Sequence, residues 1–135
     1  MKIVKWIGIT LAVYVGIVVL FESLIGYFQP TSEATLSLTV YEQSGEPHVR
    51  VLSRIEHSDN LYVAVNHWPR SWFSSLQKNP NIRVAFGERD FAGTAVVVDD
   101  PAEYARIDAD RSLPFWFRLL TGFPPRYFVR LEPST

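Results

Sequence analysis

"VNHWPRSWFSSLQKNPNIRVAF", residues 65–86, decides how this chain folds. The stretch leaves an apolar strand at Val65 and enters a new alternation at Ile82, Val84 and Phe86. A plain hairpin connection is shorter and built from Gly, Asn, Asp or Pro. Here the connection holds Trp68, Arg70, Ser71 and Trp72, and its centre reads as a helix from about Ser71 to Lys78. Ser71 suits an N-cap, Trp72 and Leu76 lie one turn apart on a face, and Asn79-Pro80 stops the helix. Backbone N–H groups at a helix start attract anions, so Arg70 and Ser71 mark a place where an anionic ligand docks.

Outward from this stretch, short runs alternate apolar and polar residues. Leu36, Leu38 and Val40 share one face of a strand ending near Tyr41, and His48 to Ile55 makes a second beyond the turn "SGEP" (44–47). Leu61 to Val65, Ile82 to Phe86, Phe91 to Val98 and Tyr127 to Leu131 complete six, with "EHSDN" (56–60) and "GERD" (87–90) as turns. Such spacing indicates an antiparallel sandwich or barrel. A second helix begins at "DPAEYARIDADR", where Asp100 caps, Pro101 takes the first helical position and Glu103 stands three residues after the cap. Capping therefore explains Asp99-Asp100 better than a metal does. Residues 111–125, "RSLPFWFRLLTGFPP", are strongly aromatic and stay open between helix and loop. They plug the barrel, line a substrate space, or dip into a bilayer interface, which Trp and Phe favour.

Residues 3–28 carry no charge from Trp6 to Phe21. A bilayer core takes about 20 mostly apolar residues, whereas the apolar part of a signal peptide is about 7–15 and precedes a small-x-small site. The run therefore reads as a retained transmembrane anchor (1–28), joined by a polar linker (29–34) to one domain (35–135). Lys2 and Lys5 precede it and no Lys or Arg follows until Arg50, so the chain is expected to be single-pass in the cell membrane, N-terminus cytoplasmic and domain outside. A net charge of −1, with basic residues scattered singly, gives no field for nucleic acid. The absence of cysteine excludes disulfides and thiolate chemistry, and three scattered histidines (48, 57 and 67) do not make a metal site.

Three segments together resemble the flavin-binding split-barrel superfamily and, within it, the deazaflavin-dependent nitroreductase family, whose members use F420 and include quinone reductases. "SGEPH" (44–48) stands where the family has Gly-Arg-Lys-Ser-Gly-x-Pro-Arg. "WPRSWFSSLQKNPNIRV" (68–84) is similar to Pro-x-Trp-Tyr-x-Asn-Leu-x-x-Asn-Pro-x-Val, and "FVRLEP" (128–133) to its Val-Val-x-Leu-Glu-Pro ending. The middle segment is the specific one. The resemblance implies a mainly β fold with two short helices: a six-stranded antiparallel split β-barrel, here behind one N-terminal transmembrane helix. It implies a cofactor wall from Ser44, His48, Arg50 and Val51, and a second from Asn66, His67, Arg70, Trp72, Phe73 and Ser75. It implies a homodimer, and no protein nucleophile, because the cofactor carries the redox chemistry.

Two departures matter. The family's Arg-Lys pair is Glu42-Gln43 here, removing two cations that would meet phosphate, and His67-Trp68 replace small residues. Arg50, Arg70 and Lys78 stand as compensating cations, since Arg matches phosphate bidentately. The cofactor reading is therefore F420 or FMN. The activity expected is hydride transfer to a lipophilic acceptor such as a quinone. The rival class is a non-catalytic barrel that binds a lipid, haem or other anionic ligand at the membrane.

Overall fold

The structure, a computed structural model, describes residues 1–27, 34–66 and 71–134. Helix α1 (Lys2–Tyr27) precedes strands β1 (Thr35–Tyr41), β2 (Pro47–Ser53), β3 (Ile55–His57) and β4 (Asn60–Val65). Helix α2 (Ser71–Lys78) leads to β5 (Asn81–Phe86) and β6 (Arg89–Val97). Helices α3 (Pro101–Asp110) and α4 (Phe115–Thr121) then precede β7 (Tyr127–Pro133). A 24-residue part of α1, Lys2–Ile25, is long and apolar enough to cross a membrane. Most of the expected linker, 28–33, lies outside the described residues.

The seven strands form one antiparallel sheet in the order β2-β1-β5-β6-β7-β4-β3. Its first and last strands are joined through Arg54 alone, so the sheet curls into a half-barrel whose edges meet at that residue. This corrects the expected single strand from His48 to Ile55, and with it the count of six. The run from His48 to Ile55 contains no Gly or Pro, so no turn signal exists to read. Arg54 fixes the corner by other means. Its N–H donates to the Ala34 carbonyl at 2.8 Å, and its guanidinium lies over the Phe86 ring at 4.5 Å and beside Glu56 at 3.2 Å.

Alternation along β1 puts Leu36, Leu38 and Val40 inside, opposite Leu52, Arg50 and His48 of β2. Directly opposed residues share a sheet face, so the inner face of β2 is polar at its start, at His48 and Arg50, and apolar near its end at Leu52, which packs on the core. The core inside the barrel joins these β1 residues to Leu61, Val63, Val65, Ile82, Val84, Val129 and Leu131, and α2 closes it with Trp72, Phe73 and Leu76. A second cluster lies on the outer face of β4 and β7, where α3 brings Ile107 and Tyr104 onto Tyr62 and Phe128.

Helix α3 starts as its sequence dictates, with the Asp100 carboxylate accepting from the Ala102 N–H at 3.1 Å. Glu103 does different work from the capping role its spacing suggests. Its carboxylate accepts from Tyr62 Oη at 2.7 Å and Arg130 Nη1 at 2.6 Å, pinning α3 to the sheet. Arg126 is largely enclosed between Asn66 and Asp108. The Arg130 hydrogen bond, followed by that of Tyr62, holds the Glu103 carboxyl below the usual carboxylate range. The unfolded chain binds that proton more readily than the folded one. The contribution is thus complete above about pH 4.3 and is lost as pH falls through the lower folded value. Glu103→Gln should cost about 1–3 kcal/mol at neutral pH and flatten the acid limb of a urea-unfolding series. An acid limb identical to wild type would contradict this.

The sequence expectation of two short helices in the domain is also corrected, because 115–121 forms α4, a third. Gly122 ends it in the left-handed conformation that glycine adopts at helix ends.

Candidate functional site

The β1–β2 hairpin and α2 meet at one end of the half-barrel. The hairpin turns through Glu42 to Glu46, with Gly45 at a φ of +89° that suits only glycine, and Gly45 N–H donates to the Glu42 carbonyl at 2.9 Å. Because α2 lies across β1, its first turn faces the polar start of β2. Between them is a cleft of about 60 Å³ lined by Val40, Glu42, His48, Arg50, Ser71, Trp72 and Ser75. Trp72 is buried and forms a fixed wall, while the half-buried Arg50 reaches in from β2. Ser71 and Ser75, one turn apart, present two hydroxyl-bearing side chains from one helix face.

Of the residues singled out from sequence, His48, Arg50, Trp72 and Ser75 therefore come together. Four others do not. Ser44 is exposed in the hairpin turn, and Val51 alternates to the sheet face opposite Arg50. Asn66 accepts from Arg126 Nε at 2.8 Å, beside α3. Phe73 is buried and stacked on Tyr127, with ring centroids 5.1 Å apart. His67 and Arg70 lie outside the described residues. Ser71, read from sequence as the cap of an anion-attracting helix start, also lines the cleft, one turn from Ser75.

Glu42 enters the cleft where the family pattern has a cation, and it is engaged. Its carboxylate sits 2.9 Å from His48 Nε2, so the two side chains are hydrogen-bonded to each other. Glu42, Glu46 and His48 also place their ligand atoms within 4.8 Å of one another, all exposed; the hydrogen-bonded pair accounts for that grouping. A larger cavity, about 430 Å³, lies at the opposite hairpin between Glu56, Asp59, Arg89 and Glu132. Three carboxylates against one guanidinium suit no phosphate, so the smaller cleft is the stronger site despite its size.

The donor set fits an anionic group of phosphate size: one guanidinium, one imidazole, two hydroxyls and a helix start. It is too small for a ring system. Pockets that enclose whole ligands hold about 300–1,000 Å³.

The fold is an antiparallel half-barrel with α2 packed against its core at one end. The family profile described as F420H(2)-dependent quinone reductase matches residues 15–114, and the chain belongs to that family of flavin- and F420-type reductases. No curated protein matches the chain. Among solved structures it is similar to HutZ, the haem storage protein from Vibrio cholerae, with TM-score 0.60 and 18% identity over 77% of this chain and 84% of that one. It is similar to an F420-H2 dependent reductase, FDR-A, with TM-score 0.58 and 17% identity over 73% and 94%. A pyridoxamine 5'-phosphate oxidase-related, FMN binding protein from Nostoc punctiforme gives TM-score 0.57 and 17% identity over 75% and 71%. At these identities the likeness establishes the fold.

Proposed function

We propose that the chain is a membrane-anchored oxidoreductase that uses F420 or FMN and passes hydride to a lipophilic acceptor such as a quinone. One observation carries this reading. Residues from two segments that resemble the family's cofactor walls, His48 and Arg50 on one and Ser71, Trp72 and Ser75 on the other, line a single cleft. When bound, the reduced cofactor supplies the hydride. The chain's own residues bind and orient it. Arg50 would hold the phosphate with its planar fork, and Ser71 and Ser75 would donate to it with the start of α2 behind them. Trp72, locked by packing, fixes the distance between helix and hairpin. His48 holds Glu42 away from the anion. Arg70, next in sequence to Ser71, adds a second cation, and His67 a donor.

Since the cleft takes only the charged group, the ring extends beyond it, and a second copy of the chain supplies the remaining wall. The apolar helix α1 supports placement at the membrane, single-pass with the domain outside, where a quinone is dissolved. The family match includes residues 15–27 of that helix.

Anaerobic mixing of F420H2 with the full chain, in vesicles carrying a quinone, tests the proposal. Reoxidation of F420H2 that requires both protein and quinone is expected. A second reading, a binding barrel without redox chemistry, draws on the carboxylate at the cleft. Saturable ligand binding with no reoxidation would favour it.

A further inference from the structure

Helix α4 leaves three large apolar side chains open, Phe115 at 70% exposed, Trp116 at 59% and Leu119 at 41%, and Phe123 just beyond its cap is 45% exposed. The helix rests on α1. Tyr14 Oη donates to the Leu119 carbonyl at 2.8 Å, and the Phe21 and Phe117 rings meet edge to face at 5.9 Å. On α1 the half-buried positions are Tyr14, Val18, Phe21, Glu22 and Ile25, one stripe at helical spacing. Every described position before Tyr14 is exposed. The seam thus occupies the domain-proximal half of α1, and the exposed face of α4 continues the apolar surface of that helix.

We propose that α4 is a second membrane contact: a short re-entrant helix sunk beside α1 into the leaflet nearest the domain, its Phe115, Trp116 and Leu119 face against lipid. The inference rests on reading α1 as a membrane anchor. Phe117 meets Phe21 while Leu119 meets Tyr14, so α4 descends antiparallel to α1. Tyr14 and Phe21 are about 10 Å apart along the axis at 1.5 Å per residue, a depth suited to an interfacial helix.

The backbone agrees with that placement. Carbonyls at a helix end normally look to water, and in hydrocarbon each must find a partner within the protein. At the deep end of α4 the Arg118 carbonyl accepts from Phe123 N–H at 2.9 Å and from Thr121 Oγ1 at 3.2 Å. The Leu119 carbonyl accepts from Gly122 N–H at 3.3 Å and from Tyr14. At the shallow end Pro114 provides no side-chain cap, which a wet interface tolerates. Arg118 lays its guanidinium over Phe123 at 5.8 Å, on a stem long enough to snorkel toward headgroups.

A chain without cysteine allows single labels in the intact protein. Val13→Cys, Phe115→Cys, Leu119→Cys and Gln77→Cys would each carry a nitroxide, in vesicles of phosphatidylcholine and phosphatidylglycerol. Oxygen reports lipid exposure and an aqueous nickel chelate reports water. Labels at 13 and 119 should lose nickel collisions and gain oxygen relative to 77, with 115 between 119 and 77. A nickel-accessible 119 beside a shielded 13 would overturn the α4 contact while leaving the anchor standing. Nickel access at both would overturn anchor and contact together. A 119 label closed to both probes would mean that protein, such as a second copy, covers the face, and the lipid assignment would be wrong.

Discussion

Gly93→Ala is expected to destabilise the domain by about 3 kcal/mol or more, at the upper end of what overpacking costs. Gly93 sits in β6 between Ile82 of β5 and Pro133 of β7. A Cβ built there would collide with the Glu132 carbonyl oxygen and meet the Glu132 carbonyl carbon at 3.0 Å. Both are backbone atoms of a paired strand, and no side-chain rotation relieves the clash. The sheet must open locally where β6 and β7 pair, which loosens the core beneath. For a domain of this size the loss corresponds to a fall in Tm of more than about 10 °C. Ala92→Val, on the exposed neighbour, is the control and should change little. A Gly93→Ala midpoint within a degree or two of wild type would show that the strands do not approach as described.

Arg50→Ala is expected to weaken binding of the phosphorylated cofactor ten- to a hundredfold. A charge-assisted hydrogen bond contributes roughly 1.5–3 kcal/mol, and about 1.4 kcal/mol is tenfold in affinity. Arg50 is the cleft's described guanidinium, so its loss leaves hydroxyls and the helix start alone. Arg83→Ala is the matched control. That side chain is exposed on β5 and pairs with Asp90 at 2.8 Å, so its removal should leave binding unchanged. Glu42→Arg with Gln43→Lys restores the family's cations and should tighten binding. Equal affinities for Arg50→Ala and Arg83→Ala would place the ligand elsewhere.

Much of this architecture is legible in the sequence because it follows local rules. Strict alternation in Thr35–Tyr41 and Asn81–Phe86, together with the Asp100-Pro101 start of α3, depends on neighbours only. The corner at Arg54 does not. It is fixed by a carbonyl at Ala34 and a ring at Phe86, contacts far along the chain that no periodicity encodes. The role of Glu103 is similar. Its spacing from Asp100 suggests a cap, but a buried-side arginine from the last strand outcompetes the local N–H. Helix α4 stayed ambiguous because its seven residues are apolar on nearly every side, and only the seam on α1 says which face is covered.

At the cleft, motif resemblance brought His48, Arg50, Trp72 and Ser75 to one place, since the two motif segments lie on a hairpin and a helix that the barrel must juxtapose. It overreached with Val51 and Phe73. Val51 follows a lining residue in a strand, which turns its side chain to the other face, and Phe73 is buried against Tyr127. Asn66 was drawn off by Arg126, a partner 60 positions later.

The most direct test of the central claim is a titration of the purified full-length protein with F420, followed by its absorbance and fluorescence, with FMN in parallel. Saturable binding of one of them is predicted, weakened by Arg50→Ala and unmoved by Arg83→Ala. No saturable binding of either cofactor, by wild type or by the Glu42→Arg, Gln43→Lys variant, would contradict the account.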